Sequence, residues 1–272
     1  MLNGHTGSVQ TVKIDGIYGR VVTGSSDMTV KLWDSHKNEC KGTLIAHQGG
    51  VRTVAFSEAL VISGSTDSSI RIWDAMNGEC TQILSSHTAP VNCLQFDKRQ
   101  LVSGSDDTTI KVWDIERGQC VNTFTKNVPT KCLQFYAHAL TSGGDNIVRM
   151  WDIRSGQCCR QLAGHTDAIT CLQFDEYYLL SGSADQTVRV WDIRTGTCQK
   201  TLETHAPVNS LCFNTNHLAV ATAENDVQVY STATHHHKWS LKGPTQEVTS
   251  VKLHENIVVA GSKDNSVFMW DI

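Results

Sequence analysis

The sequence repeats itself about every forty residues, and any fold has to accommodate that period first. A Trp-Asp pair, or a residue standing for it, falls at Trp33, Trp73, Trp113, Trp151, Trp191, Tyr230 and Trp270, in steps of 40, 40, 38, 40, 39 and 40. The chain is therefore seven copies of one unit. Seven units of about 40 residues would take about 280, roughly eight more than the 272 present.

The second unit shows what each copy folds into. Val51–Phe56, Leu60–Ser65, Ser69–Asp74 and Cys80–Leu84 are short runs rich in β-branched and aromatic residues, parted by turn residues. They predict a four-stranded antiparallel meander, strands a to d. One such sheet has two apolar faces and can bury neither alone, whereas seven stacked around an axis bury both faces of each. No helical period interrupts the repeats. The expectation is an all-β fold: a seven-bladed β-propeller of four-stranded antiparallel blades. It forms a single domain over 1–272, with c strands ending near 34, 74, 114, 152, 192, 231 and 271.

The ends of the chain predict where the missing residues belong. Leu2 stands three residues before His5, as Leu44 stands before His47 and Leu84 before His87, so it fills the last slot of a d strand. Little precedes it, and Ile272 directly follows Trp270-Asp271. The seventh blade is therefore expected to have three strands and an open c edge, a liability for non-native pairing. A truncated isoform or fragment of a longer protein is the expectation.

Composition excludes several classes. Four Pro, 20 Gly and 40% hydrophobic residues suit a packed chain, not a disordered or collagen-like one. Apolar runs such as Leu218–Ala221 are too short to span a bilayer, and no basic start leads into an apolar stretch like a signal peptide. With 23 basic and 27 acidic residues, net charge −4, nothing favours membranes or direct nucleic-acid binding. A cytoplasmic or nuclear monomer is expected.

Several motifs recur in register: Gly-His (Gly4-His5, Gly164-His165), Ser-Gly-Ser-x-Asp (Ser63–Asp67, Ser103–Asp107, Ser181–Asp185) and Trp-Asp. In this combination the chain resembles the WD-repeat β-propeller family. The resemblance implies a hydrogen-bonded tetrad per blade. The sets are His5, Thr23, Asp27 and Trp33; His47, Ser63, Asp67 and Trp73; His87, Ser103, Asp107 and Trp113; and His165, Ser181, Asp185 and Trp191. A buried imidazole needs a fixed acceptor, which the carboxylate supplies, and the hydroxyl can serve both the imidazole and the indole N–H. Three units depart from the pattern. The fourth has Lys126-Asn127 where Gly-His belongs. The sixth keeps His205 but has Ala221, Asn225 and Tyr230. The seventh has Pro244 and Ala260, with Asp264 and Trp270 retained.

Ser, His and Asp together also suggest a hydrolase. Four equivalent sets, each with a Trp and none with a G-x-S-x-G elbow, read instead as framework, with no catalytic residue and no cofactor. Cys40, Cys80, Cys120, Cys158 and Cys198 open strand d, Cys93, Cys132 and Cys171 share a slot in strand a, and Cys212 lies two residues past it. Without C-x-x-C they predict no zinc; they read as reduced, small buried hydrophobes. His235–His237 reads as a solvated c–d loop, not a metal site. The basic residues two before each Trp-Asp (Lys31, Arg71, Lys111, Arg149, Arg189) read as partners in charge pairs.

With catalysis set aside, binding remains. In propellers resembling this one, ligands sit most often around the channel on the face of the d–a and b–c loops. The slots facing it are the second residue of strand a, the residue two before it, and the residue preceding the turn Asp. They give the candidate partner-binding residues Arg52, Asn92, Asp106, Lys131, Thr170, Asn209, Glu224, Glu247 and Lys263. These slots vary between units while framework slots do not. The set mixes charge and lacks the aromatic anchors usual in hot spots. A protein or peptide partner is expected there.

Finally, Cys93-Leu-Gln-Phe96, Cys132-Leu-Gln-Phe135 and Cys171-Leu-Gln-Phe174, with Gly118-Gln-Cys120 and Gly156-Gln-Cys158, are similar to the F-box/WD-repeat proteins. Those are substrate receptors of cullin-based ubiquitin ligases. The resemblance implies substrate recognition for a ubiquitin ligase whose F-box is absent from this chain, with ligase subunits as partners of a longer form. Of the arginines that could converge on a phosphodegron, only Arg52 occupies a suitable slot. The alternative is a general scaffold or adaptor in a signalling, organelle or nucleic-acid-processing complex, with an enzyme built on the channel as a third reading. Fold alone does not separate these.

Overall fold

The computed structural model describes residues 1–15, 19–97 and 99–272, and the regular elements among them are all β-strands. Blade one is β1 (Val9–Asp15), β2 (Arg20–Ser25), β3 (Thr29–Asp34) and β4 (Glu39–Ile45). Blade two is β5 (Val51–Phe56), β6 (Leu60–Ser65), β7 (Ile70–Asp74) and β8 (Cys80–Leu84). Blade three is β9 (Val91–Phe96), β10 (Gln100–Ser105), β11 (Thr109–Asp114) and β12 (Gln119–Thr125). Blade four is β13 (Cys132–Tyr136), β14 (Ala139–Gly143), β15 (Ile147–Asp152) and β16 (Cys158–Ala163). Blade five is β17 (Ile169–Phe174), β18 (Tyr178–Ser183), β19 (Thr187–Asp192) and β20 (Cys198–Glu203). Blade six is β21 (Val208–Phe213), β22 (His217–Thr222), β23 (Asp226–Ser231) and β24 (His237–Lys242). Blade seven has three strands, β25 (Val248–His254), β26 (Ile257–Ser262) and β27 (Val267–Asp271). Each sheet is an antiparallel meander, and the first strands touch in sequence, β25 meeting β1 to close the ring. This is a seven-bladed propeller.

The core lies in the gaps between blades, one apolar cluster to each gap. Val22, Val30 and Leu44 of blade one pack on Val51, Val54, Val61 and Trp73 of blade two, and the other gaps repeat the scheme. Second strands are buried almost end to end, as in β10, while fourth strands bury little beyond one large residue, such as Phe124 in β12. At the closing gap Leu2 is buried with Val9, Val12, Val259 and Val267. Its N–H and C=O pair with Val267 at 2.8 and 3.1 Å, repeating the Val30–Leu44 pairing of blade one. Beyond that bridge, among the described residues, β27 pairs only with β26.

Two local devices shape the ring. The Gly of Ser-Gly-Ser lets strand a of the next blade come close: a Cβ on Gly104 would stand 2.4 Å from Thr130 Cγ2. Second, glutamines of the Cys-Leu-Gln-Phe phrases reach into the next blade. Gln134 Nε2 donates to the Phe174 carbonyl (3.1 Å) and its Oε1 accepts from Phe174 N–H (2.6 Å). Gln173 does the same with Phe213 (3.0 and 2.9 Å), and Gln95 Oε1 accepts from Phe135 N–H (2.7 Å).

Two expectations need correction. The cysteines of strand d are not buried: Cys40, Cys158 and Cys198 are exposed and Cys80 and Cys120 half-buried, because strand d is the outer edge of its blade. Each faces the Trp of strand c across a β-bulge and points its Sγ at the carbonyl two residues on, as Cys120 does to Asn122 (3.3 Å). Those of strand a fit the expectation better: Cys132, Cys171 and Cys212 are buried and Cys93 half-buried. Of the basic residues before each Trp-Asp, only Arg149 makes a charge pair among the described residues, with Asp145 (2.6 and 2.7 Å). Lys31 and Lys111 bond threonine hydroxyls of strand d, and Arg71 and Arg189 face Cys80 and Cys198.

Candidate functional site

The four framework sets come together with nearly identical geometry. His5 Nδ1 lies 2.7 Å from Asp27 Oδ2, His5 Nε2 lies 2.7 Å from Thr23 Oγ1, and Trp33 Nε1 donates to the same hydroxyl at 2.8 Å. His47 joins Asp67 and Ser63, with Trp73 on Ser63; His87 joins Asp107 and Ser103, with Trp113 on Ser103. His165 joins Asp185 and Ser181, with Trp191 on Ser181. Because the carboxylate accepts from Nδ1–H, Nε2 is left to accept from the hydroxyl, which accepts from the indole in turn. The hydroxyls of Ser63, Ser103 and Ser181 are fully buried, so the arrangement ties loop, turn and strand together and presents no nucleophile.

A further partner, legible only as Asp-x-Thr/Ser, completes each set. The hydroxyls of Thr29, Ser69, Thr109 and Thr187 donate to the Asp at 2.6–2.7 Å. Burial pushes these carboxyls up, but bonds from those hydroxyls and from the imidazoles outweigh it and bring Asp27, Asp67 and Asp107 down to about 2. Burial holds the four imidazoles below their usual range.

The three irregular blades use substitutes. In blade four the buried Lys126 stands in the His place, its Nζ 3.5 Å from Ser142 Oγ, and Trp151 still donates to that hydroxyl at 2.9 Å. In blade six His205 is exposed, so the histidine retained in sequence does not occupy the lock. The neighbouring Thr204 is buried instead and donates to Ala206 and Gln186 carbonyls (2.8 and 2.9 Å), while Tyr230 donates to Gln228 (2.6 Å). In blade seven Asp264 accepts from Thr245 N–H and hydroxyl, and Trp270 stacks on Phe268.

The candidate partner-binding residues owe their direction to a β-bulge. In β1, β5, β9, β17, β21 and β25 the second residue is an extra one opposite strand b, so its side chain turns toward the channel and the next blade. Asn92 Nδ2 thus reaches the Thr130 carbonyl (2.9 Å), Thr170 Oγ1 the Val208 carbonyl (2.5 Å) and Asn209 Nδ2 the Val248 carbonyl (2.9 Å). Lys131 lies just before β13, its N–H on the Gly143 carbonyl at 3.0 Å.

Two polar groups form on opposite arcs of this face. On blades two to four, Asp106 accepts from Arg52 Nη1 (3.1 Å), Asn92 Nδ2 (2.8 Å) and Lys131 Nζ (2.8 Å), and Arg52 also donates to Asn92 Oδ1. Although burial pushes the Asp106 carboxyl up, these bonds hold it low. Two cations around one carboxylate leave this arc positive. On blades six and seven, Asn209 Nδ2 donates to Glu247 Oε1 (2.7 Å), and Lys263 pairs with the other carboxylate oxygen. Glu224 is exposed on the same arc and helps raise the neighbouring Asp226, so this arc is negative. Thr170, on blade five, bonds backbone carbonyls and joins neither group.

At the opposite end, where the a–b and c–d turns lie, a cavity of about 530 Å³ opens between blades five and six. Tyr178, Leu180, Val190, Phe213 and Leu218 line it, with Lys200 and His235 among its polar residues. Sequence reasoning missed it. Its signal is Thr232, standing where other blades carry Ile115, Ile153 and Ile193 after Trp-Asp. Among the described residues no group of three or more His, Cys, Asp or Glu is placed to hold a metal, and no helix is long and apolar enough to cross a membrane.

Comparison with known proteins matches the WD domain, G-beta repeat family at residues 1–34, 38–74, 78–114, 156–192, 196–231 and 236–271. The long stretch left out, 115–155, holds the contracted fourth unit. Mitochondrial division protein 1 of Vanderwaltozyma polyspora is 30% identical over 291 residues, which cover 99% of this chain and 38% of that protein. The protein of the same name from Malassezia globosa is 37% identical over 142 residues, 52% of this chain and 21% of that protein. A pre-mRNA-splicing factor of Kluyveromyces lactis is 42% identical over 59 residues, 21% of this chain and 14% of that protein. The chain thus spans well under half the length of these relatives.

Proposed function

The chain belongs to the WD domain, G-beta repeat family, and from that premise we propose that it is a non-catalytic interaction module whose protein or peptide partner sits on the channel face of the d–a and b–c loops. The observation that carries this reading is the bipolar face. Arg52, Asn92 and Lys131 gather on Asp106 on one arc, and Glu224 and Glu247 oppose them across the channel. Bulges hold the side chains in place before any partner arrives, which lowers the ordering cost of binding. The partner that fits presents an acidic group to the first arc and a basic group to the second.

We favour a general adaptor over a ubiquitin-ligase substrate receptor. The Cys-Leu-Gln-Phe phrases suggested the receptor, but their glutamines serve as clamps between blades, so the phrases describe packing and not a partner. The relatives' names point to mitochondrial division and to pre-mRNA splicing, and neither points to ubiquitin ligation. Affinity purification with mass spectrometry tests the proposal. The partner set of the wild type should shrink in Arg52→Ala/Lys131→Ala and in Glu224→Ala/Glu247→Ala, with the fold checked by circular dichroism. Identical partner sets would remove this face as the binding site, and robust recovery of cullin-ligase subunits would favour the receptor reading.

A further inference from the structure

The glutamine clamps mark a slot that two blades fill differently. Where blades three to five carry Gln95, Gln134 and Gln173, blade seven carries Lys252 and blade one carries Lys13. Strands β25 and β1 are neighbours in the ring, tied by Val12 N–H on Ser250 Oγ (3.2 Å) and by the Thr249 hydroxyl on the Val9 carbonyl. The shared slot on these neighbouring strands puts the two lysines side by side, close enough for the charge of Lys252 to act on Lys13. Both lysines are half-buried and lie toward the a–b turn end of the channel, away from the candidate partner face.

What surrounds the pair is short of acceptors. A glutamine in this slot accepts the inward N–H of the next blade with its oxygen, as Gln134 does for Phe174; an ammonium only donates. In register, Ile14 opposite Val21 and Phe56 opposite Val61 match Phe174 opposite Leu179, so their N–H groups face the channel too. Among the described residues neither lysine has a carboxylate within ion-pair distance. Among the described residues the other titratable groups that bear on them are thiols: Cys212 beside Lys13, and Cys171 within the field of Lys252, the Cys171 thiol being pushed up to about 12 by burial. The register therefore places two ammonium groups and two amide donors along one stretch of channel, with no ion-paired carboxylate among the described residues to offset them. The repulsion from Lys252, together with burial, already brings Lys13 down to about 7.

We propose that the channel between Lys13 and Lys252 is an oxyanion site that takes a phosphate group. A phosphate offers several acceptor oxygens to converging donors and cancels the repulsion between the two ammonium groups. The site is independent of the partner face, which lies at the other end of the channel.

The test uses the full chain below about pH 7, where Lys13 holds its proton, and titrates inorganic phosphate by calorimetry and thermal unfolding, with sodium chloride at equal ionic strength as control. Lys13→Gln and Lys252→Gln are the variants, since glutamine is the residue other blades use in this slot and should preserve the fold. Phosphate should bind saturably and raise the melting temperature, and each variant should weaken binding about tenfold or more. O-phosphoserine distinguishes the source. Tighter binding than inorganic phosphate assigns the site to a phosphomonoester, and weaker binding assigns it to the free ion; either upholds the site. A response matched by sodium chloride, or retained in both folded variants, overturns it.

Discussion

Gln134 closes on the backbone of Phe174 from the neighbouring blade, 40 residues away, with its amide donating to the carbonyl at 3.1 Å and accepting from the N–H at 2.6 Å. Side chain and peptide unit satisfy each other in both directions. Removing the side chain exposes two backbone groups and severs a tie between blades. Gln134→Leu should lower stability by about 1–2 kcal/mol, read as a lower urea midpoint at unchanged slope. Gln134→Glu keeps an acceptor for Phe174 N–H and should lose less. Equal midpoints for Leu and wild type would show that water replaces the clamp at no cost.

The repeat made some of this architecture legible and hid the rest. His47, Ser63, Asp67 and Trp73 recur at fixed spacings because the lock they form closes within one unit and the loop before it. Leu2 was readable as the end of a d strand for the same reason. The Gln134–Phe174 clamp and the Asp106 cluster cross between blades, and nothing local in the sequence says which neighbour a side chain meets. Strand order around the ring settles it. His205 was misread because the blade-six connection places Thr204, not the histidine, in the interior. Cys40 was misread because recurrence in register does not say whether a strand lies inside the blade or at its edge.

The imidazoles of His5, His47, His87 and His165 all lie below their usual range, chiefly through burial. In the unfolded chain these groups take up protons near pH 6.5. The folded state resists, so the unfolded state binds more protons and gains as pH falls. Stability should be fullest above about pH 6.5 and decline below it, toward the folded-state values. The carboxylates act later: with Asp27, Asp67 and Asp107 at about 2 when folded, their contribution is lost below about pH 4. Urea midpoints from pH 8 down to 5 read the first effect. His165→Gln should flatten the slope, and a flat wild-type profile would contradict the assignment.

Lys126 sits in the place of the lock histidine, 5% exposed, with its ammonium 3.5 Å from the Ser142 hydroxyl. Burial, then Arg149, holds its pKa low, so the folded state carries this ammonium at a cost. Lys126→Met keeps the length and apolar stem and removes the charge, leaving the Trp151–Ser142 bond in place. The variant should gain about 1 kcal/mol near neutral pH. The gain should shrink as pH climbs toward the unfolded lysine value, where the wild type also sheds its charge. A loss of stability would mean that the ammonium makes a favourable contact outweighing its burial.

Ala75 offers the reverse case, a gap that a larger residue should fill. It follows Trp73-Asp74, and its N–H bonds the Ala59 carbonyl at 2.9 Å, as Ile115 N–H bonds Arg99 and Ile193 N–H bonds Tyr177. Those isoleucines fill the space between blades, whereas beside Ala75 a groove of about 250 Å³ remains, lined by Val22, Leu32, Phe56 and Val61. The backbone conformation at this slot already suits isoleucine in blades three to five, so Ala75→Ile brings no new strain. Each buried methylene contributes about 0.8 kcal/mol, offset by about 0.5–1 kcal/mol of lost rotamer freedom. With three added carbons, a net gain of about 1.5 kcal/mol should follow, seen as a higher melting temperature with an unchanged far-ultraviolet spectrum. The Arg20 guanidinium over the Phe56 ring, 5.8 Å from its centre, is the side chain that must give way at the rim. If the variant melts lower than wild type, that contact holds the groove open against filling and contributes more than the buried isoleucine would.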